Sequence, residues 1–133
     1  MATMGDILYG ASAFNGDISK WVVSSVTNMH SMFRGTTSFN GDLSKWDVSS
    51  VTDMRYIFYG AKSFNGDISK WDVSRVTDMW RMFTGSSFNA DISKWDVSKV
   101  NDMHDMFYGA TSFNSDISEW DVSKVIRLLH HHH

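Results

Sequence analysis

The chain has 133 residues, carries 12 Lys+Arg against 15 Asp+Glu for a formal charge of −3, and contains no Cys and no Pro. That balance offers no cationic footprint for nucleic acid or an anionic membrane surface, and the lack of cysteine excludes disulfides, thiolate metal sites and thiol nucleophiles. No apolar run approaches the length of a membrane span and no signal peptide is legible, while His130–His133 read as the remnant of a purification tag.

In chain order, a half-copy (Met4–Ala13, MGDILYGASA) is followed by five near-copies that begin at Phe14, Phe39, Phe64, Phe88 and Phe113, in steps of 25, 25, 24 and 25 residues. A period of this size predicts stacking, because one unit cannot bury its apolar face alone. The expected organisation is a single domain over residues 4–129, one half-repeat plus five 24–25-residue repeats, with 130–133 outside it.

The unit Phe64–Ser87 (FNGDISKWDVSRVTDMWRMFTGSS) shows the pattern. Its opening turn, Phe-Asn-Gly-Asp, anchors an aromatic inward and uses residues that tolerate unusual backbone angles. Ala90 and Ser115 replace the glycine in later copies, so a positive φ is not expected there. Ile68-x-x-Trp71-x-Val73-x-x-Val76 then has the apolar spacing of a leucine-rich repeat. On a strand Trp71 and Val73 share a face, opposite Lys70, Asp72 and Ser74, so the apolar pair points inward. After it the period lengthens. Val51, Met54, Ile57 and Phe58 form a narrow helical stripe, with Thr52 placed to cap it and Gly60 to end it. The same grammar recurs as Thr27…Gly35, Thr77…Gly85 and Asn101…Gly109.

Stacking turns each position into a column of Ile or Leu, of Trp (Trp21, Trp46, Trp71, Trp95, Trp120), of Val and of Phe, with Met29, Met54, Met79 and Met103 as gap-filling core. The predicted fold is therefore an α/β repeat solenoid, leucine-rich-repeat-like, with a parallel β-sheet of about five short strands on one face and short helices on the other.

The motif FNGDISKWDVSSVTDM…MF.GA.SFN, repeated over Met4 to Val125, resembles the BspA-like leucine-rich repeats of bacterial and protist surface proteins and of mycoplasma surface lipoproteins. The resemblance implies a leucine-rich-repeat-type solenoid at the cell surface or outside the cell, engaged in adhesion or protein binding and without enzymatic activity. It brings no ligand residues with it. The chain departs from the motif at Val22, at Glu119 and over Ile126–Leu129.

Two aspartate columns invite a chemical reading. Asp17, Asp42, Asp67, Asp91 and Asp116 precede the Trp segment, where each suits an Asx-type turn cap. Calcium is the alternative, though the glycine-rich spacing of calcium-binding β-helices is absent. Lys20, Lys45, Lys70 and Lys94 beside Asp47, Asp72, Asp96 and Asp121 read as a solvated ladder of mutually neutralising charge. His30 and His104 share a column three copies apart, too distant to share a metal. No asymmetric Ser–His–Asp, carboxylate-pair or phosphate-loop arrangement stands out, so no catalysis, cofactor or metal is expected.

What varies between copies is one outer edge: His30, Arg55, Trp80, His104 in one slot; Ser31, Tyr56, Arg81, Asp105 in the next; Tyr9, Arg34, Tyr59, Thr84, Tyr108 in a third. Aromatic and arginine anchors dominate interface energies, which makes Trp80, Tyr56, Arg55 and Arg81 the candidate surface for a protein or glycan ligand. The half-copy supplies nothing to cover Trp21, Val22 and Val23, and an open apolar strand edge predicts self-association through that end. The expected function is a non-enzymatic protein-binding or adhesion module of a surface protein; a purely structural or self-assembling repeat with no ligand surface of its own is the alternative.

Overall fold

Over residues 53–61 the backbone does not close on itself as a helix would. In the computed structural model, which describes residues 2–126, the N–H groups of Met54, Tyr56, Phe58 and Gly60 cross to the next copy. They reach the carbonyls of Asp78, Trp80, Met82 and Thr84 at 3.0, 2.9, 3.0 and 2.9 Å. The residues between them close tight turns, Ile57 onto Met54, Tyr59 onto Tyr56 and Ala61 onto Phe58. Arg55 gives its N–H to the Asp53 carboxylate. Each N–H from 54 to 61 thus has an acceptor, alternately across the stack and within its own coil.

The predicted helices Thr27…Gly35, Thr52…Gly60, Thr77…Gly85 and Asn101…Gly109 are therefore absent, and no helix occurs among the described residues. The stripe that suggested them is real but has another cause. Successive turns bring Val51, Met54, Ile57, Phe58 and Ala61 to the interior, mostly three residues apart with Ile57 and Phe58 adjacent, all of them buried. Burial at that spacing looks helical in a sequence, because periodicity reports which residues are inside and not where the N–H groups go. Thr52 is no cap: its N–H and hydroxyl both reach the Thr27 carbonyl of the preceding coil. Gly60 does adopt a left-handed conformation, φ 67°, but as a turn residue.

The predicted strands are also overturned. Each Trp-x-Val segment lies between two turns, Trp46 onto Leu43 and Val51 onto Val48 in the second copy, and no backbone hydrogen bond joins these segments across coils among the described residues. Side chains make that connection instead. The indole N–H groups of Trp46, Trp71, Trp95 and Trp120 donate to the carbonyls of Ile18, Leu43, Ile68 and Ile92 of the preceding copy, at 3.1, 2.9, 3.0 and 3.0 Å. The facing of the side chains is as expected, with Trp46, Val48, Trp71 and Val73 buried and Lys45, Asp47, Lys70 and Asp72 exposed. The chain is thus not a leucine-rich-repeat-like α/β solenoid: the five-stranded parallel sheet is missing from one face and the helices from the other.

The extended pairing that does occur sits where the helices were expected to begin. β1 (Ala2–Thr3) pairs in parallel with β2 (Val26–Asn28), and single parallel bridges continue the line through Asn28, Asp53, Asp78 and Asp102. The half-copy extends the turn ladder as well, since Met4, Asp6, Leu8 and Gly10 donate to the carbonyls of Asn28, His30, Met32 and Arg34.

Between the two flanks lies the core. Phe33, Phe58, Phe83 and Phe107 stack face to face along the coils at 5.5–5.7 Å between ring centroids, and each meets the turn phenylalanine Phe39, Phe64, Phe88 or Phe113 at 4.0–4.8 Å. Met29, Met54, Met79 and Met103 are fully buried against them, the gap-filling role expected of flexible thioethers. A fourth column is polar: the N–H of Asn40, Asn65, Asn89 and Asn114 each donates to the side-chain oxygen of the preceding asparagine.

Candidate functional site

The turn ladder places one non-glycine residue per coil in the left-handed region: Asp6, Ser31, Tyr56, Arg81 and Asp105, with φ between 53° and 63°. A side chain in this region crowds its own carbonyl at a cost of roughly 1–2 kcal/mol. These are the positions of the second variable slot. Backbone bonds fix the conformation on both sides of each, so the side-chain identity is free to change from coil to coil.

The structure brings three of the four candidate residues, Tyr56, Trp80 and Arg81, into contact. Tyr56 lies 5.2 Å from Trp80 between ring centroids, and the Arg81 guanidinium sits 5.6 Å over Trp80. Arg81 also pairs with Asp105 at 3.4 Å, and the same carboxylate lies 3.3 Å from His104 Nε2. Arg55 folds back on Asp53, Nε to Oδ2 at 3.1 Å. All four are half-buried; Tyr56, Trp80 and Arg81 form one continuous strip with Tyr59 and His104, while Arg55 turns back to Asp53. His30, in the slot of Arg55, stands 3.7 Å from Asp6.

Arg34 was part of the third variable slot but not among the chosen residues, and it occupies the centre of the neighbouring cluster. Its guanidinium lies over the rings of Tyr56, Tyr59 and Tyr9 at 4.4, 4.7 and 5.0 Å. The alternation Tyr9, Arg34, Tyr59 along one column was the signal for it. A further acidic line was missed altogether. Asp53, Asp78 and Asp102 hold the backbone N–H two residues ahead, at Arg55, Trp80 and His104. Burial, together with the neighbouring Asp102 and Asp53, raises the Asp78 carboxyl above its ordinary value, against the pull of the Trp80 N–H.

The two aspartate columns recognised in the sequence are turn caps. Asp17, Asp42, Asp67, Asp91 and Asp116 accept from the N–H of Ser19, Ser44, Ser69, Ser93 and Ser118 at 2.9–3.0 Å. Asp47, Asp72, Asp96 and Asp121 do the same for Ser49, Ser74, Ser98 and Ser123 at 3.0 Å. Hydrogen bonds from serine hold these carboxyls below their usual range. Among the described residues no group of three His, Asp or Glu side chains is placed to hold one cation. Nor do the lysines form contact pairs: every ion pair among the described residues involves arginine or histidine, so the Lys–Asp ladder acts only at longer range.

At the N-terminal end, Trp21 is 39% exposed, Val22 84% exposed and Val23 buried. Val22 faces outward as expected, while Trp21 departs from its column because no preceding coil covers it. The segment is a turn and not a strand, Trp21 N–H closing onto Ile18, so this end presents apolar side chains without an open strand edge.

A family model described as "Mycoplasma protein of unknown function, DUF285" matches residues 1–87 and, in a second placement, residues 42–131. No curated protein and no solved structure matches the chain. No helix among the described residues is long and apolar enough to cross a membrane.

Proposed function

We propose, starting from the fact that the chain belongs to this Mycoplasma family of unknown function, that it is a non-enzymatic protein-binding repeat module. Its contact surface is formed by Arg55, Tyr56, Trp80 and Arg81. The observation that carries this reading is the convergence of the variable-slot residues Tyr56, Trp80 and Arg81 on one face, with Tyr56 and Arg81 in a backbone conformation that disfavours bulky side chains. A repeat that served only as a spacer would gain stability from glycine at those positions. The likeness of the repeat motif to BspA-like surface proteins supports exposure at a cell surface; it lends the reading nothing about the fold.

The test is a binding screen of purified extracellular proteins against wild type and Trp80→Ala, with a glycan panel in parallel. A protein bound by wild type and lost on Trp80→Ala is the expected result. Glycan binding alone, or protein binding indifferent to Trp80, contradicts it. Association of copies through Trp21 and Val22 is a second reading, favoured by the exposure of Val22. It predicts a concentration-dependent increase in particle size that Val22→Asp removes.

A further inference from the structure

Three arginines line the variable face, and they are not equivalent. Arg55 is paired with Asp53 and Arg81 with Asp105, but Arg34 has no carboxylate within reach among the described residues. Its guanidinium makes no hydrogen bond to the protein there either. Its nitrogens are nonetheless not among the buried polar atoms that lack partners, so they reach solvent. The cation is held in place by the faces of Tyr9, Tyr56 and Tyr59, which are electron-rich and offer no acceptor in the guanidinium plane. An arginine whose flanks are covered by rings and whose donors are open is already oriented for a planar, bidentate anion, with little side-chain freedom left to lose.

We propose that Arg34 is a carboxylate-binding site, receiving a glutamate or aspartate side chain of the bound protein. The source of that carboxylate rests on the protein-binding reading above; the chemistry of the site does not. The charge balance selects the class of anion. One uncompensated guanidinium, with the neighbouring arginines already neutralised by Asp53 and Asp105, matches a monoanion, whereas phosphorylated partners are met by clusters of free arginines. Tyr9 and Tyr59 occupy the same variable slot as Arg34 in the adjoining coils, so the cage is assembled from three successive units and exists only where that slot alternates Tyr, Arg, Tyr.

The experiment titrates the full chain, labelled with nitrogen-15, with two capped peptides, Ac-Gly-Glu-Gly-NH2 and Ac-Gly-Gln-Gly-NH2, following the arginine Nε–Hε resonances. The Glu peptide is expected to shift the Arg34 signal saturably, several-fold more than the Gln peptide does and several-fold more than it shifts exposed Arg75. Arg34→Lys should abolish the saturable shifts of the neighbouring Gly35 and Tyr59 backbone amides that accompany this response, with the rest of the amide spectrum retained, and Tyr59→Ala should weaken the Arg34 response. Equal responses to the two peptides, equal responses at Arg34 and Arg75, or a saturable response that survives Arg34→Lys would each overturn the proposal. A saturable Arg34 response in a chain that captures no protein would count against the function above and leave the carboxylate site standing.

Discussion

The two flanks of each coil are joined to their neighbours by different means. On the turn-ladder flank, Met54, Tyr56, Phe58 and Gly60 donate backbone N–H groups to the next coil, and any non-proline residue can make such a bond. On the tryptophan flank the connection comes from the indole of Trp71, which donates, and the side-chain oxygen of Asn40, which accepts the Asn65 N–H, and only those side chains supply these groups. The difference explains where the sequence repeats and where it drifts. Phe-Asn-x-Asp-Ile-Ser-x-Trp is nearly invariant from copy to copy, while the variable slots of the ladder carry His, Arg, Trp, Ser, Tyr and Asp. Variation accumulates where the backbone alone holds the stack, and that is the flank on which a recognition surface can be written.

Breaking the core that both flanks share should have the largest effect. Phe83→Ala removes a fully buried ring stacked on Phe58, Phe88 and Phe107, and should destabilise the chain by about 3–5 kcal/mol in denaturant melts. Next comes the tryptophan flank alone. Trp71→Phe keeps most of the packing but leaves the buried Leu43 carbonyl without its indole donor, a loss of about 1–3 kcal/mol in the same assay. The ladder flank should respond in the opposite sense to glycine. Ser31→Gly at φ 57° relieves left-handed strain and should stabilise by up to about 1 kcal/mol, whereas Gly60→Ala at φ 67° should destabilise by about 1–2 kcal/mol. If Ser31→Gly destabilised the fold, the account of strain held by the backbone ladder would be wrong.

The inward columns and the turn caps of the Asp17-to-Asp116 line were legible in the sequence, because burial and local capping depend on residue type and short spacing, whereas Asp47, Asp72, Asp96 and Asp121 read as a charge ladder and turn out to cap as well. Phe33, Met54 and Trp71 sit where their spacing placed them. What the sequence could not carry was hydrogen-bond direction. Met54, Ile57 and Phe58 would be buried at these intervals in a short helix or in consecutive turns, and the choice rests on whether Tyr56 bonds within its own coil or to Trp80. Similarly, Trp71 and Val73 face inward whether or not their backbone pairs with the next copy. The four candidate contact residues came from variation between copies, a signal present in the sequence. Arg34 did not stand out, since Tyr9 comes from the half-copy before its own unit and Tyr56 and Tyr59 from the copy after it, and they converge only on folding.

The smallest expected effect separates the flanks by pH. The serine-bonded caps, Asp42 and Asp67 among them, have folded values below the ordinary 3.8, so their contribution is present above that value and is lost as pH falls through the lowered one. Asp78, raised by burial, has the opposite sign: its charge opposes folding at neutral pH, and protonation as pH falls through its raised value favours the folded chain. Asp78→Asn, the residue that Asn28 already supplies in this column, should therefore raise stability at neutral pH and remove a small gain on mild acidification. Melts recorded across the acid range would show it, and an unchanged profile would dissociate Asp78 from the pH response.

The central claim is that the coils are joined through the ladder backbone, and scalar couplings across hydrogen bonds report it directly. In a uniformly labelled sample, the amide nitrogen of Tyr56 should couple to the carbonyl carbon of Trp80, and that of Phe58 to Met82. A coupling from Tyr56 to the carbonyl of Thr52, four residues back in its own coil, would mean a helix and would contradict the account.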